Sequence, residues 1–110
     1  MDTLRNLPDE KPEELARLIE IRPGRVVSMA LSRSEHCQIT LLAFGEGESV
    51  SQEEYFGDTL YTVLEGEMPL ESKEKKLVLK AGQSLRIPGR TPHAIGGSGA
   101  FKLLQITVAD

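Results

Sequence analysis

The chain has two histidines, His36 and His93, and one cysteine, Cys37, so the chemistry open to it is narrow. An imidazole can hold a hydrogen bond, ligate a divalent metal or move a proton near neutral pH. His93, in the run Thr91-Pro92-His93-Ala94-Ile95, is open to all three roles. His36 stands at the start of an apolar run and reads as exposed. Cys37 reads as a small apolar strand residue, with a reactive thiol beside His36 and Gln38 as the alternative. A single cysteine forms no disulfide within the chain, which suits a reducing compartment. Nucleophilic catalysis finds no support, because Ser51 and Ser84 have no adjacent histidine and acid in sequence. The glycine-rich run Gly96-Gly97-Ser98-Gly99 lacks the Lys-Ser and helix of a phosphate loop and reads as a flexible hairpin.

Short strands must position these groups. The sequence has 110 residues, enough for one domain. Apolar runs at 15–21, 26–31, 37–44, 60–64, 77–79, 84–87 and 101–108 are separated by Gly, Pro and charge. No stretch after residue 20 keeps a helical period for three turns, so the expected class is all-β, a sandwich or barrel. Along Thr59-Leu60-Tyr61-Thr62-Val63-Leu64, residues 59, 61 and 63 share one face and 60, 62 and 64 the other. With 59, 61 and 63 inward, the Tyr61 ring lies inside beside Thr59, its hydroxyl within reach of His93 or a ligand. A core tyrosine with a satisfied hydroxyl is the alternative. Gln105, between Leu104 and Ile106, either faces solvent or lines the cavity, since a buried amide needs a partner, and its parity with Phe101 and Leu103 favours the inward side. Residues 1–14, charged and holding Pro8 and Pro12, read as an N-terminal arm with one helical turn around Glu13 to Leu18; residues 15–110 read as a single domain. Glu71 to Lys76 reads as an exposed hairpin tip.

Charge and composition exclude several partners. There are 13 Lys and Arg against 17 Asp and Glu, a net charge of −4, with no Trp and no basic cluster. Nucleic-acid binding, which wants a basic patch interleaved with aromatics, is not expected. No run nears the roughly 18 apolar residues of a membrane span. Met1 to Lys11 has no apolar core of signal-peptide length, so the expected location is cytoplasmic.

Two segments are more specific than composition. One runs Gly45-Glu46-Gly47 through Gln52-Glu53 to Val63-Leu64-Glu65-Gly66-Glu67. The other is Lys80-Ala81-Gly82, then Ile87-Pro88 and Pro92-His93. In order and spacing the pair resembles the two conserved-barrel motifs of the cupin superfamily, across roughly residues 40 to 108. The resemblance implies a double-stranded β-helix, or jelly-roll, barrel and a homodimer. It also implies a metal site of three histidines and one glutamate, suited to iron, manganese, zinc, nickel or copper. Here only His93 matches such a ligand. The two first-motif histidine positions become Ser51 and Glu53, and the glutamate position becomes Thr59, with Asp58 one residue away. Glu53 and Asp58 are the substitute ligands left to join His93.

Three functions follow as expectations. The first is a small-molecule binding module, with Glu53, Thr59, Tyr61, His93 and Gln105 orienting a ligand in the barrel mouth. The second is an enzyme of isomerase, epimerase or dioxygenase type, in which His93 transfers a proton with Glu53 as partner, with or without a divalent metal. The third is a sensor or interaction protein that acts through its dimer surface. For the dimer, residues 15–21 and 26–31 are expected to pair with a second subunit's sheet.

Overall fold

The computed structural model describes residues 3–110. Eight strands follow a short 3-10 turn at Leu15–Arg17. They are β1 (Val26–Arg33), β2 (Cys37–Phe44), β3 (Ser49–Glu53), β4 (Asp58–Ser72), β5 (Lys76–Lys80), β6 (Ser84–Ile87), β7 (His93–Gly96) and β8 (Phe101–Val108). The strands run in the order β1-β2-β8-β4-β7-β3, all neighbours antiparallel, with β5 and β6 also pairing β4. The sheet curls on itself as a jelly-roll barrel because β4 belongs to both of its walls. Residues 59–62 of β4 pair with β6 and the same half pairs with β8, whereas residues 67–72 pair with β5 and β7. Gly66 allows the change of wall. Its φ is +76°, and a Cβ there would stand 2.5 Å from the Ala100 carbonyl oxygen, so the bend accepts no side chain.

Alternation sorts the strands into two apolar layers. Phe44, Tyr61, Val63, Met68, Leu70, Ile95, Phe101 and Leu103 fill the barrel, with Phe44 and Phe101 stacked at 4.5 Å between ring centroids. The opposite faces of β1, β2 and β8 present Met29, Leu31, Ile39, Leu41, Ala43 and Leu104 to a second layer.

That second layer is where the structure departs from expectation. Residues 15–21 form no strand. They cross the outer face of the sheet, where Leu15, Leu18, Ile19 and Ile21 pack on the second layer. The preceding arm is docked as well. The Arg5 amide donates to the Leu31 carbonyl at 2.9 Å, Asn6 Nδ2 to the Ala30 carbonyl at 2.8 Å, and Ser32 Oγ to the Thr3 carbonyl at 2.8 Å. The bulge between Ala30 and Ser32 frees the Leu31 carbonyl for this contact. Residues 15–21 thus lie on the outer face of this chain's own sheet, and the arm meets the β1 edge at Ala30 to Ser32. The run Gly96 to Gly99 is not a hairpin either. It carries the chain from β7 across to β8 and is pinned to the turn at 45–48, where Gly97 donates to the Glu48 carbonyl and Gly47 to the Ser98 carbonyl.

Candidate functional site

One row of side chains crosses β2, β8 and β4, where Thr40 is the register partner of Gln105 and Gln105 of Tyr61. The opposing wall supplies Glu53 opposite His93 and Val50 opposite Ile95, on β3 and β7. Together with Leu42 and Tyr55 these residues enclose a cavity of about 200 Å³. Larger depressions of about 470 and 770 Å³ lie on the outer surface, and neither is reached by His93 or Tyr61.

Glu53 reaches the cavity because of an irregularity. Between Val50 and Glu53 the chain advances three residues while β7 advances two, from Ile95 to His93. Such a bulge reverses parity, so Val50 and Glu53 face the same way despite their odd spacing. Tyr55 lies beyond the end of β3, its carbonyl accepting the Arg90 amide at 2.6 Å. Arg90 adopts a φ of 60° to make that contact, and its guanidinium lies 4.7 Å from the centre of the exposed Phe56 ring. The loop that carries Tyr55 is therefore fastened on its outer side.

His93 is 2 % exposed, and both ring nitrogens are engaged. Nδ1 lies 2.7 Å from the Thr91 carbonyl, which only accepts, so Nδ1 carries the proton. Nε2 lies 2.8 Å from the Tyr61 hydroxyl. With Nδ1–H given to Thr91, Nε2 is placed to accept the phenol proton. The phenol is held well above its ordinary value, first by burial, then by repulsion from Tyr55 and Glu53. Both effects keep it a hydrogen-bond donor. The rings meet edge to face, with centroids 5.6 Å apart and planes at 73°, and the Tyr55 ring stands 6.0 Å from the imidazole.

The structure brings four of the six sequence candidates together: Glu53, Tyr61, His93 and Gln105. Thr59 is buried on the inward face but does not reach the cavity. It sits one inward position further along β4, and its hydroxyl is taken up by Thr107 at 3.2 Å. Asp58 lies on the outer face, where Oδ1 accepts the Gly89 amide at 2.8 Å and Oδ2 the Arg86 Nε–H at 3.0 Å. The expectation that Asp58 joins His93 as a ligand is corrected by strand parity, which turns residue 58 away from residues 59 and 61. Ser51 lines an outer groove. The His36 side chain is 63 % exposed beside Glu35, and Cys37 is half-buried at the start of β2. Thr40 and Tyr55 were not foreseen. Thr40 could have been found by the reasoning applied to Gln105, since it is a polar residue in an apolar run. Tyr55 lies in a loop and offers no such signal.

Asp58 has a measurable consequence of its own. The Gly89 amide and then Arg86 hold its carboxyl below the usual carboxylate value. A lowered native value contributes stability that is complete above the unfolded value and disappears as pH falls through the native one. The stability advantage over Asp58→Asn should therefore be constant near neutrality and shrink in acid. Urea midpoints compared from about pH 7 to about pH 2.5 test this. A difference that stays flat across the range would show that the carboxylate charge contributes nothing.

The donor set does not fit the metal centre implied by the resemblance. No group of three or more His, Cys, Asp or Glu converges among the described residues. His93 is posed as a ligand histidine would be, with Nδ1 donated to a carbonyl and Nε2 inward. However, Nε2 is capped by Tyr61, and Glu53 alone stands near it as a further oxygen donor of the ligand type.

Residues 40–107 match the family profile of the cupin domain. A cupin superfamily protein from Desulfitobacterium hafniense is 51% identical to the chain, over 97% of this chain and 98% of that one, with a TM-score of 0.94. A conserved protein of unknown function from Streptococcus pyogenes superposes with a TM-score of 0.95 over 100% of this chain and 96% of that one. At 23% identity it shows the fold alone. So does a salicylate 1,2-dioxygenase mutant from Pseudoaminobacter salicylatoxidans, at 13% identity over 76% of this chain and 26% of that one, TM-score 0.68. No curated protein matches. With more than half its length in the family match and a half-identical relative of the same extent, the chain belongs to the cupin superfamily, as a small single-domain member of the conserved-barrel type.

Proposed function

We propose that the barrel is a binding site for a small organic molecule and works without a resident metal. The observation that carries this reading is the Tyr61–His93 hydrogen bond of 2.8 Å on the wall of the cavity. It places a phenol proton against the imidazole nitrogen that a metal would need. The remaining polar side chains of the lining, Thr40, Glu53, Tyr55 and Gln105, are free to orient a guest, and Leu42, Val50 and Ile95 supply apolar contact. An apolar cavity of about 150 Å³ takes up benzene. A volume of about 200 Å³ suits a guest little larger than that.

Metal analysis of untagged protein purified without chelators tests the metal-free half of this reading. The expected result is metal well below one equivalent, unchanged in His93→Ala. Close to one equivalent of a transition metal, lost in that variant, would overturn it. A second reading has one observation in its favour. Glu53 and His93 are register partners on β3 and β7 and line the same cavity, which puts a carboxylate beside the imidazole for proton transfer by His93. That reading predicts that a Tyr61→Phe protein, whose Nε2 is unmasked, gains proton-transfer activity. The binding reading predicts a more weakly held guest.

A further inference from the structure

We propose that the guest is a small organic cation, a primary or quaternary amine with an apolar body, held by Glu53 against the Tyr55 and Tyr61 rings. The inference rests on the small-molecule reading above and assigns its ligand class. Glu53 contributes the one formal charge in the lining, and no Lys or Arg lines the cavity. Each ion pair among the described residues joins other groups, so the Glu53 carboxylate has no cation of its own. Arg90, the cation of the adjacent loop, is directed away onto the outer Phe56 ring.

A carboxylate without a counter-ion at the mouth of a small cavity attracts positive charge and repels negative charge. Its field reaches the inner wall, since Glu53 is one of the groups that discourage ionisation of the Tyr61 phenol. The faces of Tyr55 and Tyr61 extend the same preference, because aromatic quadrupoles hold ammonium groups. The Gln105 carbonyl and the Thr40 hydroxyl add neutral acceptors for N–H donors. Within the lining, Val50, Leu42 and Ile95 offer the apolar surface that an alkyl or aryl body would cover. A carboxylate or phosphate ligand would meet Glu53 with no opposing charge.

The experiment compares benzylamine, tetramethylammonium, benzyl alcohol and benzoate as probes, by calorimetric titration of the full chain and of Glu53→Gln. Benzylamine should bind at least about tenfold more tightly than benzyl alcohol, and benzoate should not bind up to about 10 mM. Glu53→Gln should weaken the amine about tenfold or more and leave the thermal midpoint unchanged, since residue 53 is exposed enough to tolerate the exchange. Benzyl alcohol or benzoate binding as tightly as the amines, or an amine affinity indifferent to Glu53→Gln, would overturn the cation assignment and leave the small-molecule reading standing. Failure of every probe at about 10 mM would overturn both.

Discussion

Phe101→Ala should destabilise the protein by about 3–5 kcal/mol, the range for deleting a large buried aromatic. Phe101 is fully buried and stacks on Phe44 with planes 14° apart. Its register partners are Phe44 on β2 and Gly66 on β4, so it sits where the barrel wall bends. The bare Gly66 backbone packs against it, and neither flank can move inward to fill the space. Against a total stability of about 5–15 kcal/mol, the loss leaves a marginal protein. The thermal midpoint should fall by about 10 °C or more. Phe101→Leu, which keeps most of the volume, should cost much less. Urea and thermal unfolding followed by circular dichroism measure both. A loss below about 1 kcal/mol for the alanine variant would mean that the barrel collapses onto the vacated ring after all.

Tyr61→Phe is the second large effect, and its size depends on His93. Removing the hydroxyl leaves a buried imidazole nitrogen without a donor, a penalty of about 1–3 kcal/mol. His93→Leu strands the phenol and the Thr91 carbonyl in the same way and should cost at least as much. The double variant removes both ends of the 2.8 Å bond, so that only the Thr91 carbonyl is left without its donor. It should therefore be less destabilised than the sum of the single changes by about 1–3 kcal/mol. A cycle that adds to within about 0.5 kcal/mol would show that the pair is not coupled. It would also remove the physical ground for a metal-free site. Tyr55→Phe, which loses a hydroxyl with no partner among the described residues, should be nearly neutral in the same assay.

The parts of this architecture that were legible in the sequence are those a period of two can express. Tyr61, His93 and Gln105 sit in regular strands, and counting alternate residues puts each on the inward face. Glu53 came to attention by a different route, its place in the first barrel motif. Its inward pose depends on the bulge after Val50, a pairing irregularity that no local pattern encodes. Asp58 shows the converse. Proximity to the motif made it a candidate, and parity with its neighbours turned it out to Arg86 and Gly89. The run at 15–21 misled because an apolar stretch does not state what it covers. It covers the chain's own sheet, a long-range choice set by the apolar outer faces of β1, β2 and β8. Tyr55 was hidden for a similar reason, since the Arg90 amide that holds its loop is distant in sequence.

The place of β8 in the sheet constrains how the molecule comes into being. It is the last of the eight strands in chain order, yet it lies between β2 and β4, both earlier in the chain. Until it arrives, β2 and β4 each hold a long row of unpaired amides, and Phe44 lacks the ring it stacks on. Closure is then a keystone event, governed by the slow search that distant strand pairings impose. Edges left open in this way are the surfaces on which strands of two chains can pair, so the position of β8 is also what keeps β2 and β4 from doing so.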